Sequence, residues 1–139
     1  MRRLSSFIAL IVMSVSFIGC SSDSATAPTQ ASVAGTWNLT SINGSPLPYV
    51  LQAANPKIEY LNEQLIVSAN GTFTQTANAR FTNSGIVSTQ PIADAGTYTL
   101  NGTAVSFRFN SDGSTGTGTV TGSSLVVAQA GYSQVYTKQ

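Results

Sequence analysis

Histidine is absent from the 139 residues of this chain, which removes the commonest general base and the commonest metal ligand. Cysteine occurs once, as Cys20, so no internal disulfide can form. Charge is scarce, with six Lys and Arg against five Asp and Glu. From Cys20 onward the cations are Lys57, Arg80, Arg108 and Lys138, and the anions are Asp23, Glu59, Glu63, Asp94 and Asp112. No basic patch stands out in that set, which argues against a nucleic-acid partner. Ser, Thr, Asn, Gln and Gly carry the polar surface instead, a composition that looks extracytoplasmic. Ser and Thr are plentiful, but with no His or suitably placed Lys beside them no activated nucleophile can be named. The sequence therefore points away from an enzyme and assigns no catalytic, metal-binding or cofactor-binding residue.

What is present falls into three parts: residues 1–19, 20–32 and 33–139. Arg2 and Arg3 precede an apolar run from Leu4 to Ile18. That run is short for a membrane span and is followed by a polar stretch, so residues 1–19 read as an export signal. Phe17-Ile18-Gly19-Cys20 resembles a bacterial lipobox, with Phe17 where Leu is usual. The resemblance implies that Cys20 becomes the first mature residue and carries membrane lipid as thioether-linked diacylglycerol and an amide-linked acyl chain such as palmitate. Ser21, rather than Asp, follows it, which by resemblance to the sorting rule of enteric bacteria implies the outer membrane of the cell envelope. Residues 21–32 hold no large apolar side chain and no hydrophobic period, so they read as a disordered tether. A coil of that length reaches on the order of 20 Å.

From Val33 the hydrophobic period is two and turn signals recur. Gly35-Thr36-Trp37-Asn38-Leu39 opens the first strand, with Trp37 and Leu39 on one face. Pro46 and Pro48 exclude a central strand, so residues 44–56 are expected to form an irregular crossing or a short helical turn. Lys57–Ser68 reads as a long strand whose apolar parity changes midway, which predicts a bulge near Asn62. A three-residue Ala69-Asn70-Gly71 loop would set Val67 opposite Phe73. Thr72–Phe81 follows, then a short strand, Ile86–Gln90, expected to stop at Pro91. Gly96–Phe107 and Gly116–Val127 form an internal repeat of two hairpins. Two-residue Asn-Gly and Thr-Gly loops would set Tyr98 opposite Val105 and Gly118 opposite Leu125. Tyr132–Lys138 is the last strand. Eight or nine antiparallel strands in neighbour order, with no convincing helix, predict an all-β fold. They would close as an up-and-down barrel or pack as a sandwich.

Gly35-Thr36-Trp37, the Asn43–Pro48 segment and the terminal Tyr136-Thr137-Lys138 resemble the two ends of a small bacterial lipocalin-like domain. The first strand is also similar to that of the META-domain group, whose Gly-Cys-Asn signature is absent here. The lipocalin-like resemblance implies a barrel over residues 33–139, closed at one end by Trp37 beneath Lys138. It also implies a carrier, so Tyr98, Val105, Phe107, Phe109 and Leu125 are candidate contacts for a small apolar or amphipathic ligand. Such an aromatic face is more often plain core than a pocket lining. Gly96, Gly116 and Gly118 would then leave room for a ligand or mark tight bends. Two functions stay open: a tethered, monomeric module that binds a small apolar or amphipathic ligand, and an envelope structural or interaction lipoprotein with a packed barrel. Glu59 and Glu63 share a strand face if the strand is regular, and a solvated face is expected for them. Asn110 and Asp112-Gly113 read as a turn rather than a Ca²⁺ loop.

Overall fold

The structure, a computed structural model, describes residues 32–139. The expected export signal, Cys20 and the expected tether up to residue 31 lie outside the described residues. The strands are β1 (Gly35–Ile42), β2 (Ser45–Pro46), β3 (Tyr49–Gln52), β4 (Lys57–Val67), β5 (Thr72–Asn83), β6 (Ile86–Asn101), β7 (Ala104–Phe109), β8 (Thr115–Thr121), β9 (Ser124–Gln129) and β10 (Tyr132–Lys138). Among the described residues there is no helix. The sheet runs β2-β1-β10-β9-β8-β7-β6-β5-β4-β3, and an additional β1–β4 pairing closes it. With the short β2 and β3 set aside as flanking pieces, eight strands form an antiparallel barrel in up-and-down order. Closure pairs the edges that an open, Thr-rich sheet would expose.

Alternation builds the core. In β7 burial alternates strictly, with Val105, Phe107 and Phe109 inside and Ser106 and Arg108 outside. The inward set continues as Val120 on β8, Leu125 and Val127 on β9, and Tyr136 on β10. Val67 lies opposite Phe73, as a three-residue loop requires, with Gly71 at φ 87°. The bulge in β4 falls between Tyr60 and Asn62.

Three local expectations are corrected. Residues 44–56 form no helical turn; they carry β2 and β3, which flank β1 and β4 where those two strands diverge. Pro91 does not stop its strand. β6 runs through it, because β7 pairs β6 only from Gly96 onward, so Pro91 sits on a strand with one free edge, where proline is tolerated. The two repeat hairpins are offset from the expected register. Tyr98 lies opposite Phe107 and Gly118 opposite Val127. Each loop begins at its glycine, Gly102 (φ 62°) or Gly122 (φ 58°), rather than at the residue before it. The offset changes partners by two positions, so every side chain keeps its face.

Candidate functional site

One end of the barrel is plugged. Trp37 is fully buried, and its indole Nε1 donates to the Val33 carbonyl at 2.8 Å. Lys138 is its cross-strand partner on β10. The ammonium lies 5.3 Å from the Trp37 ring centroid and donates to the Ser32 carbonyl at 3.1 Å. The pairing follows from the β1–β10 register, which brings the two ends of the domain together.

Above the plug, Val105, Phe107, Phe109 and Leu125 are buried and Tyr98 is half-buried. The structure gathers all five onto one inward wall. Phe73, from β5, packs edge-on against Phe107 and Phe109, with centroids 5.2 and 5.1 Å away. A Cβ placed on Gly96 would lie 2.7 Å from the Phe73 ring, so the space that this glycine leaves is filled by an aromatic. The Tyr98 hydroxyl donates to the Ser68 carbonyl at 2.8 Å. Leu125 pairs with Tyr136, and Tyr136 with Leu39, one inward position above Trp37. The wall is close-packed with its neighbours.

Further along the interior sits a polar cluster that alternation alone does not announce. The Leu61 bulge shifts the parity of β4, so Glu59 and Glu63 do not share a face. Glu59 leaves by the outer face, yet it is not solvated as expected: it is buried beneath Lys57 Nζ at 2.9 Å and Arg80 Nε at 2.8 Å. Those hydrogen bonds, Arg80's first, hold its carboxyl down at about 2. Glu63 points inward and is 3 % exposed. Tyr60 donates to its Oε2 at 2.6 Å and Tyr136 to its Oε1 at 2.5 Å. Burial pushes the Glu63 carboxyl above the usual carboxylate range, against the pull of hydrogen bonds from Tyr136, Tyr60 and Gln75. Both tyrosine hydroxyls are pushed up in turn, first by burial and then by the Glu63 charge. The signal for this cluster was the bulge: a parity change between positions 59 and 63 sends one glutamate to each side. Tyr136 carried no such signal, because it arrives from 73 residues away.

Gln134 stands two residues before Tyr136 on the same face of β10, and its buried Oε1 has no hydrogen-bond partner. Two residues earlier on that face, Tyr132 packs edge-on against Tyr49 with centroids 6.2 Å apart. Tyr132 also lines a cleft of about 380 Å³ between Asn43, Thr115 and residues 128–133, at the end away from Trp37. The inward side chains of β10 thus run from the cleft through Gln134 and Tyr136 to Glu63. Among the described residues no three His, Cys, Asp or Glu gather to hold a metal ion. Asp112 accepts from the Ser114 amide at 2.8 Å, which is turn geometry.

A family model described as a lipocalin-like domain matches residues 33–136. Among curated proteins, none matches the chain.

Proposed function

Since the chain belongs to the lipocalin-like domain family, we propose that it is a lipid-anchored envelope protein whose barrel binds a small amphipathic molecule at the end away from Trp37. The observation that carries the reading is the inward β10 ladder, Tyr132, Gln134 and Tyr136. It runs from Tyr132, on the rim of an open cleft of pocket size, to a buried polar group in an otherwise apolar interior. Phe109 and Tyr49 offer apolar surface to the tail, and the polar atoms orient the head. The wall of Tyr98, Val105, Phe107 and Leu125 backs the site from below. The opposite end is committed to the Trp37 plug and to the incoming chain, because Ser32 lies against Lys138 there. An anchor reached through residues 20–31 would then sit below the plug and leave the mouth facing away from the membrane.

Titration of the folded protein with fluorescent lipids and hydrophobic dyes tests the reading. Saturable binding is expected in the micromolar range, near −8 kcal/mol. The tight packing around Phe73 favours a second reading, a structural or interaction lipoprotein with no small ligand. Absence of saturable binding by every probe would leave that second reading standing.

Anchoring rests on the apolar run ending in Gly19-Cys20, and it has its own test. Cells fed radioactive palmitate should label the wild-type protein and leave Cys20→Ser unlabelled. The labelled protein should partition into the detergent phase. Equal labelling of the two would remove the lipid from Cys20, and with it the outer-membrane placement.

A further inference from the structure

The barrel interior holds a carboxylate with no cation beside it and an amide oxygen with no donor. Glu63 presents two oxygens and Gln134 a buried Oε1 with no partner. The donors that meet Glu63 are the hydroxyls of Tyr60 and Tyr136. No cation balances the carboxylate among the described residues. Lys57 and Arg80 are taken by Glu59 on the outside, Arg108 is exposed on the outer face of β7, and Lys138 caps Trp37. A carboxylate buried among neutral groups is costly, and the cost falls when an opposite charge is seated beside it. An orphaned acceptor nearby asks for a donor as well.

We propose that the ligand's head is an organic cation, a primary ammonium on a short apolar chain, with Glu63 as its counter-ion and Gln134 Oε1 as a second acceptor. The inference rests on the ligand-binding reading above and names the ligand class for that site. An ammonium supplies three N–H donors and one positive charge, which suits a carboxylate without a cation and an amide oxygen without a donor. A carboxylate head would meet like charge, and an alcohol would satisfy one acceptor and leave the charge unbalanced. The groups facing Glu63 are Tyr60 on its own strand, Tyr136 on β10 and Gln75 on β5. Asp94 on β6 is the cross-strand partner of Gln75 and accepts from Ser111 Oγ at 2.6 Å.

The experiment is equilibrium dialysis of the purified protein at pH 8 with octylammonium, octanol and octanoate. Octylammonium is expected to bind at least about tenfold more tightly than octanol, as a charge-assisted hydrogen bond to a desolvated carboxylate would give. Octanoate is expected to bind least. The preference for ammonium should shrink as the pH is lowered and Glu63 takes up a proton. Glu63→Gln should bring octylammonium down to the level of octanol. Gln134→Leu, which leaves the carboxylate and its tyrosines in place, should lower the ammonium preference several-fold. It also keeps the test decisive should Glu63→Gln not fold. If octanol binds but octylammonium binds no tighter, or if the preference survives both substitutions, the ammonium proposal is overturned while ligand binding stands. If none of the three binds saturably, the ligand-binding reading itself fails.

Discussion

Trp37→Ala is expected to lower the unfolding free energy by about 3–5 kcal/mol, the cost of opening a large cavity in a packed site. Trp37 has no exposed surface, so the whole transfer term of the indole is lost. Its neighbours are strand side chains fixed by ladders to β4 and β10, which limits how far the site can collapse. The Val33 carbonyl also loses its donor. The loss is a large part of the roughly 5–15 kcal/mol that holds a domain of this kind. Lys138→Ala should cost only about 0.5–1 kcal/mol, because its ammonium sits over the ring from the solvent side. Urea unfolding of the two single variants and the double variant measures both terms. The double variant should lose less than the sum, since Lys138 has no ring to cover once Trp37 is gone. Strictly additive losses would mean that the contact carries no energy of its own.

How much of this plug was readable in advance follows from sequence distance. The Gly35-Thr36-Trp37 opening and the basic C-terminus both lie on the surface of the sequence, and the family's plan connects them. The Val67–Phe73 register is set by three loop residues, and the β7 alternation by six consecutive side chains; both are local and both were legible. The repeat hairpins were legible only in their faces. Asn-Gly and Gly-Thr are each workable two-residue loops, and the choice between them moves partners without moving faces. The Glu63 cluster was harder still. It depends on where a single extra residue falls in β4 and on a tyrosine from the far end of the chain, and neither follows from composition or period. Pro91 misled because a proline signals an edge, and an edge can be the unpartnered flank of a long strand as well as a strand's end.

Gly96→Ala is expected to cost about 3 kcal/mol, the upper end of what overpacking a core position costs. The added methyl would fall 2.7 Å from the Phe73 ring and closer still to the Arg108 carbonyl oxygen, across the β6–β7 ladder. A ring can tilt, but a carbonyl held in a ladder moves only with its strand. Trimming the ring with Phe73→Leu should therefore fail to restore Gly96→Ala. Gly116→Ala makes the comparison, since its nearest neighbour would be a Val127 methyl at 3.3 Å. That variant should lose clearly less than Gly96→Ala in thermal and urea unfolding. Equal losses at both positions would show that β6 and β7 separate more easily than their register implies.

The two neighbours of β1 have a consequence for how the molecule comes into being. Its contact with β4 needs only residues 35–67, and the successive strands from β4 to β10 each add beside the one before. Every pairing but one can therefore form as the chain is synthesised, by short steps of low closure entropy. The exception is β1 with β10, which waits for the seven residues Tyr132–Lys138. Until they emerge, the growing sheet carries two raw edges, and Trp37 lacks its cover. The interval between the completion of β9 and the arrival of β10 is thus when the nascent protein is most open to pairing with another chain. The last strand to be made is the one that ends this exposure.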